Sequence, residues 1–335
     1  MDRPSRPLTL LIYALLALVP LIRAQAIANL NPRALIPDMV AGTAYRPYVY
    51  RALVPRATQA LDALLPGAAR AAADSLMDRT PWLRERWHWT TPHASWYVWT
   101  LVLQWLSLLL FAFAFERLAP ALLGTSGALP ALGAGVMLLL VPIHFGFQNF
   151  VYDFPQLALF TLALALLAER KWLKFEIALA VAVLNKETSL LLVAVFVIWA
   201  WRVLPGRQLA AHALAQLLIA AVVVLALRSL YAHNPGMAVE FHLQRNLHHQ
   251  PGSREIVHAA AYSAMCFGAV LGAPRLPRVA FAALVVGTAL TATTLFLGFL
   301  GEYRDFYELF PLLGVMMLAR AQAWLEPRGS TANPT

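Results

Sequence analysis

The chain has 335 residues, of which 60% are hydrophobic and 13% charged, and its mean hydropathy is +0.62. Soluble domains are about 45–50% apolar, so this composition predicts an integral membrane protein that spans the bilayer several times. A single cysteine, Cys266, excludes a disulfide framework and a CxxC metal or redox motif. The net charge of +9 comes from basic residues between apolar segments, a pattern that sets membrane orientation and does not indicate nucleic-acid binding.

The apolar residues form ten runs, which begin at residues 8, 94, 127, 154, 175, 188, 208, 258, 279 and 307. A membrane-spanning helix needs about 20 predominantly apolar residues, and several of these runs are shorter. We predict an all-α fold, a polytopic transmembrane bundle of about ten spans that forms one integral membrane domain over residues 1–326. Residues 327–335 would form a short cytoplasmic tail.

Basic residues in the short loops indicate the orientation, because cytoplasmic loops carry an excess of lysine and arginine. With a cytoplasmic N-terminus, the short basic loops all fall inside: Arg3 and Arg6, Arg117, residues 169–174, Arg202 and Arg207, residues 274–278, and Arg320 and Arg328. Both termini are then cytoplasmic, and residues 24–93 form a long outer loop. Only three of the 26 basic residues are lysines, a bias typical of a GC-rich bacterial genome, so we expect a bacterial inner-membrane protein.

The first span has a second interpretation. Arg3 and Arg6, the apolar run behind them and the sequence Ala24-Gln25-Ala26 also match a signal peptide with its cleavage site. Because the chain re-enters the membrane repeatedly after this point, we favour a retained span.

The long outer loop contains a segment suited to the membrane surface. Residues 37–66 combine proline breaks, alternating aromatic and arginine residues and an amphipathic helical pattern, which favour juxtamembrane helices. Asp38 stands near the start of this segment. It has two interpretations, a cap for the helix that follows or a catalytic carboxylate.

Four polar residues interrupt the apolar stretch 180–201: Asn185, Lys186, Glu187 and Thr188. Each charge would cost roughly 2.5–3.5 kcal/mol at the centre of a membrane helix. One uninterrupted helix would also place every later basic loop outside. We therefore predict a hairpin that turns at these residues.

The first limb of this hairpin, Trp172–Asn185, is about 21 Å long against a hydrocarbon core of about 30 Å. Charges and non-helical backbone at that depth are tolerated where they line a cavity. We expect the turn to form the floor of an outward-facing cavity within reach of the last outer loop. Glu187 or Glu302 is the expected partner of Lys186.

The remaining outer segments carry most of the polar side chains. Residues 143–156 include Tyr152 and Asp153, and residues 232–258 hold five of the nine histidines. The histidines lack HxxxH or HxxEH spacing, so we expect no metal. Residues 301–311 include Glu302, Arg304, Asp305 and Glu308, which suit either a substrate site or an ion pair that joins two loops. The sequence contains no GxxxxGK[ST], GxGxxG, GxSxG or DxD motif, and no cofactor is expected.

Several short motifs together resemble one superfamily. They are a YR…LVP segment near residue 45, YDFPQLALF from Tyr152, NKETSLLL from Asn185 and ExRxFxELxP from Glu302. With the acidic residue at the start of the long outer loop, this pattern is similar to the GT-C superfamily of integral membrane glycosyltransferases. The resemblance implies a GT-C-like fold and transfer of a sugar from a polyprenyl-phosphate donor to a glycan, lipid or protein acceptor on the outer, periplasmic face.

The resemblance also implies roles for particular residues. Asp38 would be the base that accepts the proton of the acceptor hydroxyl, with Asp153 and Glu302 as substitutes because Asp38 is not part of an acidic pair. Lys186 and Arg304 would stabilise the leaving phosphate, and Arg46 or Arg51 would be the third cation. The expected substrate-binding set also includes Glu187, which would orient Lys186, and Tyr152.

Two other functions remain open from the residues. A transporter or flippase also needs a polar cavity between spans, but its usual internal repeat is absent from the sequence. A non-catalytic assembly subunit would bind a lipid-linked glycan without turning it over. Separate replacement of Asp38 and Lys186 distinguishes these functions, because only an enzyme loses turnover while it retains binding.

Overall fold

The structure is a computed structural model that describes residues 5–146 and 148–325. Within these ranges every regular element is helical, and one isolated bridge joins Arg46 to Gly236. The all-α prediction is therefore confirmed. The predicted tail at 327–335, which includes Arg328, lies outside the described residues, and so does Arg3 near the N-terminus.

The described ranges form fifteen α-helices, joined by loops and short 3-10 turns. These are α1 (Arg6–Gln25), α2 (Ile36–Ala41), α3 (Leu53–Ala63), α4 (Gly67–Asp78), α5 (Pro81–Trp87), α6 (Ala94–Leu123), α7 (Leu129–Leu140), α8 (Asp153–Ala168), α9 (Trp172–Asn185), α10 (Leu191–Ala200), α11 (Gly206–Leu230), α12 (Leu243–Leu247), α13 (Ser253–Val270), α14 (Pro277–Leu297) and α15 (Phe310–Leu325).

Four of these helices, α1, α6, α11 and α14, are long and apolar enough to cross a membrane. The chain is accordingly a membrane protein with several apolar helices. The other apolar helices of the bundle are shorter, among them α8 and α15 with 16 residues each. A 16-residue helix is about 24 Å long, less than a hydrocarbon core of about 30 Å.

Helix α8 lies at the centre of the bundle. All its residues except Leu162 and Ala168 are buried, and it packs against α6, α9, α10 and α15. A helix that is apolar on every side is expected at such a position. Polar residues in the first turn of α8 are therefore enclosed by protein.

The two ends of α8 differ in chemistry. Beyond its C-terminal end, Glu169 forms ion pairs of 2.6 Å with both Arg117 and Lys171, all from loops predicted to be cytoplasmic. At its N-terminal end, Asp153 meets Arg304 of the last outer loop. One predicted inner cluster and one predicted outer cluster thus lie at opposite ends of α8.

The outer segment 24–93 forms the predicted helices α2 to α5. Helix α3 buries Val54, Pro55, Thr58 and Asp62, whose spacing places them on one face, and it packs against α6 and α9. Just before α3, the N–H of Ala52 donates a hydrogen bond of 3.2 Å to the carbonyl of Leu184. This bond brings the preceding residues of the outer loop to the end of α9.

Candidate functional site

Helix α9 ends at Asn185, the residue at which the sequence predicts the first limb of the hairpin to end. Lys186 is extended, with φ −159° and ψ 133°, and a 3-10 turn over Glu187–Leu190 leads into α10. The amide of Asn185 donates to the carbonyl of Tyr152 at 2.9 Å and to Oε1 of Gln156 at 3.2 Å. These bonds fasten the end of α9 to the start of α8.

Lys186 is buried and reaches the last outer loop, as predicted, but its partners differ from those expected. Its Nζ lies 3.7 Å from Oδ1 of Asp305 and 3.9 Å from Oε1 of Glu308, and neither Glu187 nor Glu302 is paired with it. In an extended backbone successive side chains point to opposite sides, so Lys186 and Glu187 diverge. Both distances are longer than a hydrogen bond, so the Lys186 ammonium makes only long ion pairs with these two carboxylates.

Glu187 pairs with Arg51 of the long outer loop. Oε1 of Glu187 accepts a hydrogen bond of 3.1 Å from Arg51, whose guanidinium also donates to the hydroxyl of Tyr152. The expectation that Glu187 orients Lys186 is therefore corrected, because Glu187 holds a second cation. Arg51 and Tyr152, both predicted site residues, belong to the same cluster.

Arg304 supplies the third cation of the site. It lies on the 3-10 turn Tyr303–Phe306, donates to Oε2 of Glu302 and has its Nη1 3.6 Å from Oδ1 of Asp153. Asp153 is fully buried, and its Oδ2 accepts the N–H of Phe150 at 2.8 Å. The buried carboxylate of Asp153 therefore contacts the Arg304 guanidinium and positions it.

Aromatic rings contact both guanidinium groups. The rings of Phe150 and Tyr152 stack with centroids 5.3 Å apart, Cζ of Arg304 lies 4.2 Å from the Phe150 centroid, and Cζ of Arg51 lies 4.4 Å from that of Tyr152. A guanidinium over a ring face is favourable. The stack therefore allows two like charges to lie in one cluster.

Several buried polar atoms of this cluster have no hydrogen-bond partner among the described residues. They include the donors Nε of Arg51 and Nε and Nη1 of Arg304. A buried polar group without a partner costs roughly 1–3 kcal/mol, more if charged. The acceptors Oδ1 of Asp153 and Oε2 of Glu308 are also buried without a hydrogen-bond partner in the described part of the chain, so the cluster holds unsatisfied groups of both signs.

A cavity of about 470 Å³ adjoins these residues. Its charged lining residues are the cations Arg51, Lys186, Arg228 and Arg304 and the acids Glu187, Glu240, Glu302 and Asp305. The apolar part of the lining includes Leu191 of α10, Val224 and Leu227 of α11, and Leu290 and Leu297 of α14. The cavity thus combines a polar pocket with a hydrophobic groove, which fits an amphipathic ligand.

Two predicted site residues lie elsewhere. Asp38 is half-buried in the first turn of α2, where it makes no capping bond through its side chain. Arg46 donates to the carbonyls of Ala232 at 3.1 Å and Gly236 at 2.6 Å. Neither residue is among the described residues that line the cavity. Arg46 ties two outer loops together.

Glu308, which the sequence groups with the other charges of residues 301–311, joins the site. It is fully buried, and its Oε1 accepts hydrogen bonds from Thr188 and, at 3.1 Å, from Gln156. A carboxylate at the start of an apolar span is a recognisable signal, because an intramembrane charge is costly and commonly functional. Its partners come from α8 and from the break before α10, so only the fold reveals them.

Glu302, in the loop between α14 and α15, has an altered acidity. Burial raises the pKa of its carboxyl to about 7, Asp305 and Asp153 add to the rise, and Arg304 opposes it. A carboxyl with this pKa exchanges a proton near neutral pH, as a general base requires. Among the three base candidates, only Glu302 lines the cavity.

Two histidines of residues 232–258 lie beside carboxylates. His242 lies 3.4 Å from Glu240, and His249 lies 2.9 Å from Glu255. Among residues 5–146 and 148–325, no group of three or more histidine, cysteine or acidic side chains is arranged to hold a metal ion.

Comparisons of the chain with protein-family models, curated proteins and solved structures found no match.

Proposed function

We propose that this chain is an integral membrane glycosyltransferase that moves a sugar from a polyprenyl-phosphate donor to an acceptor on the periplasmic face of a bacterial inner membrane. The observation that carries the proposal is the cavity, which combines the cations Arg51, Lys186, Arg228 and Arg304 with apolar residues of α10, α11 and α14. A polyprenyl phosphate has the same division into an anionic headgroup and a hydrophobic chain. The GT-C-like arrangement rests on the sequence motifs.

In this proposal the chain crosses the membrane about ten times. In support, ten helices coincide with the ten apolar runs, and a predicted inner and a predicted outer charge cluster lie at opposite ends of α8. The helices below 18 residues would be recessed from one membrane surface, which leaves room for the outer loops to fold over the cavity. The distribution of arginine among the loops supports cytoplasmic termini and a cavity that opens toward the periplasm.

The cations have a defined part in the proposed reaction. The acceptor oxygen attacks C1 of the sugar, the bond from C1 to the phosphate oxygen breaks, and the polyprenyl phosphate leaves with the bonding electron pair. Lys186, Arg304 and Arg51 would stabilise the charge that develops on the phosphate. Lys186 offers a compact charge and the arginines offer planar donors.

The proposed base is Glu302. It would take the proton of the acceptor hydroxyl as the new glycosidic bond forms, so the proton leaves the acceptor and the electrons leave with the phosphate. Glu302 is favoured over Asp38 and Asp153 because it lines the cavity and its pKa lies near 7. Asp153 would instead position Arg304, which it contacts from the buried side.

The test uses the purified chain in proteoliposomes that contain a radiolabelled polyprenyl-phosphate sugar. Envelope material from the source cells supplies the acceptor. We expect label to move from the lipid-soluble fraction to the acceptor, and we expect the sugar-loaded carrier to accumulate in cells that lack the gene. Movement of intact donor between leaflets would indicate the flippase function, and binding with neither outcome would indicate the assembly subunit.

A further inference from the structure

A second cavity of about 560 Å³ adjoins the first one. The two cavities share five lining residues: Tyr48, Glu240, His242, Phe299 and Glu302. Glu302 therefore faces both spaces. Its position between them differs from that of Lys186 and Arg304, which line only the first cavity.

The lining of the second cavity comes from the outer loops and the short helix α12. Among the described residues around it, none belongs to α10, α11 or α14, which form the apolar wall of the first cavity. The other lining residues are mainly polar or aromatic, among them Asn31, Arg33, Tyr45, Gln148 and Arg245. Such a surface suits a hydrated polar headgroup and offers no channel for a lipid chain.

The charged groups of this cavity are arranged around Glu240 and Phe299. Glu240 accepts a bond of 2.6 Å from Arg33 and lies 3.4 Å from His242. The guanidinium of Arg245 lies 4.3 Å from the ring centroid of Phe299, and the described residues form no ion pair with it. Arg245 is exposed and free to donate hydrogen bonds to a ligand.

The loop that carries these residues is held in place. The backbone N–H of Arg46 donates to the carbonyl of Pro235 at 2.8 Å, and its guanidinium donates to the carbonyl of Gly236 at 2.6 Å. The N–H of His242 donates to Phe296 at 2.8 Å. The wall of the second cavity is therefore built by specific bonds between outer loops.

We infer that the second cavity is the acceptor subsite, which binds a saccharide headgroup and presents one of its hydroxyls to Glu302 opposite the donor. Saccharides are bound by aromatic rings together with planar hydrogen-bonding side chains, and this cavity provides both. The inference rests on the proposed function, because it divides donor and acceptor between two spaces that meet at the proposed base.

The test places a blocking group in the second cavity alone. In a Cys266→Ser background, Gln148→Cys is labelled with a bulky maleimide, and Gln244→Cys on exposed α12 is the matched control, because Gln244 does not line the second cavity. The probes are methyl glucoside, methyl N-acetylglucosaminide and glucose 6-phosphate. Saturation-transfer NMR measures their binding. Polyprenyl phosphate binding is measured on the same samples.

We expect the wild-type chain to bind at least one saccharide probe, and labelled Gln148→Cys to lose that signal while it still binds polyprenyl phosphate. Labelled Gln244→Cys should retain both. Arg245→Ala, which leaves the cavity open, should weaken saccharide binding about tenfold, the loss of one charge-assisted hydrogen bond.

Three outcomes overturn the inference: no saccharide signal in the wild type, a signal that survives the Gln148 label, or displacement of the saccharide by polyprenyl phosphate. The proposed function fails separately, if polyprenyl phosphate does not bind the first cavity or no label is transferred. Saccharide binding is read without turnover, so the two failures are distinguishable.

Discussion

Nζ of Lys186 lies 3.7 Å from Oδ1 of Asp305, which connects the break between α9 and α10 to the loop before α15. The distance is too long for a hydrogen bond, although both side chains are largely buried. A purely structural ion pair in such surroundings requires close, well-directed contact to offset the desolvation of its charges. The looser geometry therefore favours a lysine that also serves a ligand.

Lys186→Ala should lower turnover by roughly 100- to 1,000-fold, the effect of removing one buried electrostatic donor. Because the charge on the leaving phosphate grows in the transition state, donor binding should weaken less than kcat falls. Transfer of radiolabelled sugar and equilibrium binding of polyprenyl phosphate in proteoliposomes give the two quantities.

The matched control for this variant is Lys171→Ala at the opposite end of the bundle, where Lys171 pairs with Glu169 on the surface. It should leave turnover unchanged. Lys186→Arg preserves the charge but replaces a compact ammonium with a planar fork, so a fitted phosphate site should also lose rate. Wild-type turnover of a folded Lys186→Ala protein contradicts the assignment.

Glu302 predicts a pH dependence. As the proposed base it must be ionised, so kcat should rise with pH and level off above about 7, the pKa that burial confers. The stability effect has the opposite sign. The folded pKa is raised above the ordinary 4.5, so the stabilisation from protonated Glu302 is present below about 4.5 and is lost as pH rises through about 7.

Glu302→Gln should remove this rise together with most of the activity, whereas Asp38→Asn should retain both. A pH–rate profile of the three proteins in the transfer assay makes the comparison. If Asp38→Asn abolishes the rise and Glu302→Gln does not, the base is Asp38.

The sequence predicted the break at Asn185 because an apolar run with two central charges has few other solutions in a membrane. It also predicted that the break meets the last outer loop. The prediction that Glu187 or Glu302 pairs with Lys186 was wrong. The pairing depends on the extended backbone at Lys186, which turns Glu187 toward Arg51. Side-chain direction at an irregular residue does not follow from hydropathy or charge.

The sequence also does not predict which residues of the long outer loop reach the cavity. Asp38 and Arg51 both follow the first span, and their chemistry alone gives each a reason to reach the cavity. The bond from Ala52 to Leu184 brings Arg51 to the site, while Asp38 stays in α2. The second cavity was also missed, because its lining comes from loops far apart in the chain.

Glu308 predicts a stability effect. Glu308→Ala should destabilise the protein by about 3–5 kcal/mol, because removal of one partner leaves the buried Lys186 charge less compensated. Glu308→Gln retains an acceptor for Thr188 and should cost less. Thermal unfolding in detergent measures both, and Glu85→Ala on the exposed face of α5 should change stability by no more than about 0.5 kcal/mol. If Glu308→Ala and Glu85→Ala change the stability equally, Glu308 does not stabilise the buried Lys186 charge.

Gly236→Ala should disturb the loop that carries Glu240 and His242. Gly236 has φ +91°, and a Cβ at this position would lie 2.6 Å from the carbonyl oxygen of Arg46. We expect saccharide binding and transfer to fall together, while polyprenyl phosphate binding changes less. Gly206→Ala at the start of α11 is the control, because its added Cβ meets no atom within 4 Å. Normal saccharide binding by Gly236→Ala would show that the loop does not need this geometry.

The orientation of the chain gives the last prediction. Ser75 in α4 and Ser253 at the start of α13 are exposed, and both belong to segments that the arginine distribution places outside. In a Cys266→Ser background, Ser75→Cys and Ser253→Cys should each react with a membrane-impermeant maleimide added to intact spheroplasts. Gln208→Cys, exposed near the start of α11 on the predicted inner side, should react only after the membrane is opened. Because an odd number of crossings between residues 75 and 253 would move one of the two serines inside, labelling of only one of them rules out the proposed topology.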